Sequence, residues 1–220
     1  MITYDRRGNS RSAAGQTSTT LEQQADDALA LIQHLGVEPA SVFGTSGGAI
    51  IALKLALRHP EAAAHFVVHE PPFLGVLPDG EQLGRQLTEQ VKQSLDRLGP
   101  EGTMELFLRD NAGSETFDRL EPALRKRMLA NGPWFFGSEL AMFTSWIPGE
   151  TELRSLRVPV RVLAGAQDRG VYYHRAAEWL AAALGVELIE IVGAHAPYLT
   201  TPQQFAAMLA PLLETGPAFS

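Results

Sequence analysis

A serine set among glycines, a histidine and two carboxylates carry the reactive groups of this 220-residue chain. Gly44, Thr45, Ser46, Gly47 and Gly48 form a G-x-S-x-G segment between the apolar run Ala40 to Gly44 and a second apolar run from Ala49 to Ala56. A serine on a sharp strand-to-helix turn sits in a strained backbone conformation; its neighbours must be small, and its hydroxyl projects above the sheet. The N–H of Gly47 and the positive end of the following helix would face negative charge developing on a substrate oxygen. That chemistry is nucleophilic acyl transfer, provided a base removes the serine proton. Phosphate binding is disfavoured, because no Lys-Ser or Lys-Thr pair follows and the glycine spacing does not fit a dinucleotide fingerprint.

Of six histidines, His195 alone lies on a loop directly after a carboxyl-terminal strand candidate, following Gly193 and Ala194, and it is the expected general base. His34 and His59 stand at helix ends, where interaction with the helix dipole explains them, and His65 and His174 have no reactive context. Asp168 ends the run Gly165-Ala166-Gln167-Asp168 after an apolar strand, at the edge where catalytic groups gather in open α/β sheets. Glu70, after His69, ends the preceding strand candidate and competes for the same imidazole N–H.

The elements that must position these groups alternate. Strands are expected at Ile2 to Asp5, Ala40 to Gly44, His65 to His69, Val158 to Gly165 and Val186 to Val192, with helices between them. The first helix has Thr20 as N-cap, Gln23 completing a capping box, and Gly36 as terminator, closing a βαβ crossover from Ile2 to Asp5. A second, almost wholly apolar helix runs from Gly48 to His59 before Pro60. After Pro71 and Pro72 the strand pattern stops. Residues 73–150 hold helical periods near Glu81 to Leu98, Gly102 to Asp110, Phe117 to Ala130 and Phe135 to Ile147, separated by glycine and proline signals. The fold class is therefore α/β: a mostly parallel open sheet flanked by helices, with a helical insertion.

Composition narrows the functions. The formal net charge of −7 and the lack of any Lys and Arg cluster argue against a nucleic-acid partner. No cysteine is present, so neither disulfides nor thiolate metal ligands are available, and a reducing cytoplasm is the expected compartment. Apolar runs are interrupted well short of the roughly 18 residues that a membrane span needs, and the start of the chain has no signal-peptide pattern. A small-molecule substrate is expected, with no cofactor and no metal.

Tyr4 to Gly8 (YDRRG), the GTSGG turn, His69 to Pro72 (HEPP), LAGAQD and GAHAPY together resemble the successive landmarks of the α/β-hydrolase fold. The resemblance implies that Ile2 to Ser12 are the fourth strand and its loop, that Ser46, Glu70, Asp168 and His195 follow the fifth to eighth strands, and that residues 73–150 are a cap. The core is then 1–72 with 151–220. By the same analogy Asp168 is favoured as the triad acid, with Glu70 the alternative used in some branches of the fold. Arg6, Arg7 and Asp5 are expected to anchor the loop after the first strand candidate. Phe73, Trp134, Phe143 and Trp146 are aromatic candidates for an apolar pocket.

The implied reaction is ester hydrolysis through an acyl-serine, carboxylesterase-like, on a small or medium apolar substrate; carbon-carbon bond hydrolysis, cofactor-free peroxidase chemistry and a non-catalytic binding role are the rivals. The family's chain also has strands before Ile2 and a His-Gly loop supplying a second oxyanion donor, neither of which this sequence contains. The expectation is that Met1 is an internal start of a longer chain. It follows that the oxyanion hole lacks one donor, at a cost of about 10² to 10³ in kcat, and that exposed sheet edges permit homo-oligomers.

Overall fold

The computed structural model describes residues 1–214. A parallel sheet of four strands, β1 (Ala40–Thr45), β2 (Ala63–His69), β3 (Val160–Gly165) and β4 (Leu188–Ile191), lies in the order β1-β2-β3-β4. Such strands are covered on both faces and read as continuous apolar runs. In β2, only Ala64 is exposed, and Phe66, Val67 and Val68 are inaccessible to solvent. Helices α1 (Leu21–Leu35), α2 (Gly47–Arg58) and α9 (Tyr172–Leu184) share one core with the sheet, built on Ile50, Leu53, Phe66, Val162 and Leu180. On the opposite face α11 (Pro202–Glu214) packs Phe205 and Leu209 against Val67, Leu163 and Ile191.

Thr20 and Gln23 form the expected reciprocal capping box of α1, and Gly36 ends that helix in the left-handed conformation at φ 62°. The strand expected at Ile2 to Asp5 does not form. That segment joins no ladder, Ile2 and Tyr4 are exposed, and the edge of β1 away from β2 carries no strand among the described residues. An extended segment without a hydrogen-bonded neighbour has no reason to remain a strand. Side-chain ion pairs hold it instead: Arg7 to Asp27 of α1 and Arg6 to Glu139 of the helical insertion, with Asp5 paired locally to Arg11. The arginines thus anchor the loop, as expected, but the βαβ crossover from Ile2 is absent.

Between β2 and β3 the chain is helical, as the pattern implied. The two helices expected around Gly99 abut in one element, α3 (Gly80–Ala112), broken at Gly99 by φ 68° and ψ 177° and restarted by Pro100. Then follow α4 (Ser114–Arg119), α5 (Pro122–Ala130) and the one-turn α6 (Gly132–Trp134). A π-helical turn over Phe135–Glu139 leads into α7 (Leu140–Thr144) and α8 (Glu150–Arg154). A short α10 (Pro197–Thr200) precedes α11. No helix among the described residues is long and apolar enough to cross a membrane.

Register decides what the sheet delivers. Thr45 lies opposite His69, His69 opposite Leu163, and Gly165 opposite Ile191, so all four strands end on one edge. Ser46, Glu70, Asp168 and His195 leave from that edge.

Candidate active site

Ser46 connects β1 to α2 at φ 53° and ψ −125°, a conformation side chains rarely adopt, and its N–H is held by the carbonyl of His69 at 2.9 Å. The strain is the one expected of a nucleophile turn. Although Ser46 is the N-cap of α2, its hydroxyl caps nothing, which leaves it for chemistry. Gly44 must be glycine, since a Cβ there would lie 2.3 Å from the backbone oxygen of Gly48. Gly48 itself has open space, so the crowding expected around the serine is met at Gly44 and not at Gly48. A Cβ at Gly47 would meet the ring of Phe143 at 2.6 Å, so α7 seats Phe143 against the start of α2.

The loop after β4 presents His195 to this edge, 6% exposed, and the side chain that holds it is Glu70. Nδ1 of His195 lies 2.7 Å from Glu70 Oε2. A carboxylate only accepts, so the proton is on Nδ1 and Nε2 is the basic nitrogen. Glu70 is fully buried, its other oxygen accepts the Gly165 N–H at 2.8 Å, and its backbone stands at φ 46°. The expectation that Asp168 holds the imidazole therefore fails on geometry: Glu70 has that contact. Asp168 is close, since one donor atom from each of Glu70, Asp168 and His195 lie within 4.8 Å of one another. Its Oδ2 is buried without a hydrogen-bond partner. Burial above all, and next the Glu70 charge, push its carboxyl up to about 6 despite the opposing influence of His195. These three residues are also the one cluster among the described residues with a metal-like donor spacing.

His69 is wholly buried behind the pair. Its Nδ1 meets Thr45 Oγ1 at 3.0 Å, and desolvation lowers its pKa to about 4, so it is neutral near pH 7. Three other histidines have structural contacts: His65 reaches the Leu212 carbonyl, His174 faces Glu190, and His59 pairs with Asp26.

Of the pocket candidates, Phe143 touches the serine turn, and Phe73 and Trp146 meet edge to face at 5.5 Å. Trp134 lies over Gly8, where a Cβ would fall 2.2 Å from its indole, so its contact is with the amino-terminal loop. Glu139, which the sequence did not mark, is completely buried in the π-helical turn and is held by Arg6 through both its oxygens and by Asn9. Its charge had no visible partner because the two arms lie more than a hundred residues apart.

A family profile described as alpha/beta hydrolase family matches residues 1–208. The chain belongs to that family. This alpha/beta hydrolase is 33% identical over 220 residues to the uncharacterized hydrolase YraK of Bacillus subtilis (strain 168), covering 97% of this chain and 79% of the relative. It is 27% identical to the zearalenone hydrolase of Cladophialophora bantiana over 94% of this chain and 75% of that one. Among solved structures, the enol-lactonase from Burkholderia xenovorans LB400 superposes with a TM-score of 0.75 at 19% identity, over 96% of this chain and 80% of the other. The relatives named here are hydrolases, and the shared fold extends over nearly the whole chain.

Proposed function

We propose that this alpha/beta hydrolase cleaves a small or medium apolar ester through an acyl-serine, with Ser46 as nucleophile, His195 as general base and Glu70, not Asp168, as the orienting acid. The observation that carries the reading is the buried 2.7 Å hydrogen bond between Glu70 and His195 Nδ1, on the sheet edge where Ser46 stands in its strained turn. Glu70 fixes the tautomer, so Nε2 can take the Ser46 proton while the oxygen attacks the substrate carbonyl. The oxyanion that forms is met by the Gly47 N–H and the amino end of α2. Collapse of the tetrahedral intermediate returns the proton from His195 to the departing alcohol. Water, deprotonated by the same nitrogen, then releases the acid and regenerates Ser46.

The helical stretch 73–150 acts as a cap, with Phe143, Phe73 and Trp146 giving the acyl side an apolar wall; Trp134 steadies the amino-terminal loop beneath it. The 27% identity to a zearalenone hydrolase supports hydrolysis of a small organic substrate. The test is reaction with a fluorophosphonate alongside turnover of p-nitrophenyl esters of increasing chain length. Labelling of the wild type that is absent in Ser46→Ala, with turnover lost in Ser46→Ala and His195→Ala and far-UV circular dichroism unchanged, is the expected result. The rate left after removing a triad member still exceeds that of water by about 10³ to 10⁴, so wild type is the proper reference. Full turnover in Ser46→Ala would refute the mechanism.

A further inference from the structure

We propose that Tyr173 is a positioning residue for the general base: its ring supports the His195 imidazole face-on and stabilises the imidazolium that forms when Ser46 gives up its proton. This deepens the triad reading and rests on His195 being the base. The ring centroids of Tyr173 and His195 are 4.1 Å apart with planes inclined by 31°. That is inside the roughly 6 Å within which an aromatic face attracts a cation. Glu70 holds the edge of the imidazole at Nδ1 while Tyr173 covers a face, so the ring is restrained in two perpendicular directions.

The platform is itself rigid. Tyr173 lies in the first turn of α9, and the Val171 N–H bonded to the Asp168 carbonyl at 2.9 Å sets the chain's entry into that helix. Ala176, Ala177 and Leu180, all inaccessible to solvent, lock the helix against the sheet. The Tyr172 ring meets Tyr173 edge-on at 4.8 Å and adds to its packing.

The charges around His195 leave a specific task for an uncharged ring. From β2 come Glu70 and the neutral His69, whose ring lies 6.1 Å away; from the turn after β3 comes Asp168; from α9 come the two tyrosines. Burial and the neighbouring carboxylates Asp168 and Glu70 raise the Tyr173 hydroxyl, so it stays protonated and the ring remains a neutral quadrupole. Proton transfer from Ser46 Oγ to His195 Nε2 puts one positive charge on the imidazole. A quadrupole attracts that charged form far more than the neutral one, so its contribution appears in the transition state and reaches kcat.

The experiment measures kcat, KM and the pH dependence of kcat/KM for an activated ester with Tyr173→Phe, Tyr173→Leu and pentafluorophenylalanine at position 173. The fluorinated ring keeps the shape and reverses the quadrupole, so it serves if the leucine variant folds poorly. Tyr173→Phe is expected within about threefold of wild type. The leucine and fluorinated variants should lose roughly 3- to 30-fold in kcat with KM nearly unchanged. Their acid limb should move to lower pH, because the imidazolium has lost support. Wild-type kcat in both ring-altered variants, a loss with an unmoved acid limb, or a phenylalanine variant as slow as leucine would each overturn the proposal. Turnover that survives His195→Ala would instead overturn the triad beneath it, so the two failures are distinguishable.

Discussion

Glu70 and Asp168 are two carboxylates on the same sheet edge, at the ends of neighbouring strands, and their surroundings have made them unlike. Glu70 follows directly on β2, its N–H bonded to the Leu163 carbonyl, and each of its oxygens has a partner: Gly165 N–H on one, His195 Nδ1 on the other. Asp168 stands three residues beyond β3 in a single helical turn, nearly as buried, with one oxygen orphaned and its proton affinity raised. A buried carboxylate is tolerated when hydrogen bonds replace the water it loses, and costs stability when they do not. Burial alone therefore does not separate the two acids; the partner on each oxygen does.

The sharpest way to break this contrast is Glu70→Gln. Gly165 N–H requires an acceptor, so the amide oxygen would turn toward Gly165 and the NH₂ toward His195 Nδ1, forcing the wrong imidazole tautomer. The expected loss in kcat is about 10³ to 10⁴ with the fold intact. A loss of only a few-fold would return the role to Asp168. Next in size is a stability effect on the other carboxylate. The folded-state pKa of Asp168, about 6, lies above its ordinary value of 3.8, so the folded chain holds the extra proton and stability falls as pH rises through that window. Asp168→Asn should therefore stabilise the protein by about 1 to 3 kcal/mol at pH 8 and by almost nothing at pH 3.5, read from urea unfolding at the two pH values. An equal gain at both would mean the effect is not electrostatic. The smallest expected effect is on rate: Asp168→Asn should keep kcat within about tenfold of wild type, since the imidazole keeps its Glu70 partner.

Much of this arrangement was legible in the residues. Glycines around a serine between two apolar runs pointed to a strained strand-to-helix turn, because the steric demand is local, and Ser46 has the positive φ that demand implies. The α1 cap and the alternation of strand and helix are local in the same sense. The placement of His195 on a loop after a strand could also be read, since period and turn residues mark where strands end.

Three matters belonged to the tertiary structure alone. Ile2 to Asp5 has a strand's composition, but a strand exists only through a neighbour's hydrogen bonds, and Arg6 and Arg7 tie the segment to helices instead. Tyr173 carries no mark in the sequence, since its ring meets His195 only through the packing of α9 on the sheet. The choice of acid was equally closed to inspection. Both carboxylates end adjacent strands, and which one reaches Nδ1 depends on the β2–β3 register, the Gly165 N–H and the reach of one side chain across 125 positions of sequence. Residue types narrowed that choice to two; hydrogen-bond geometry, which varies over fractions of an ångström, puts Glu70 and not Asp168 against Nδ1.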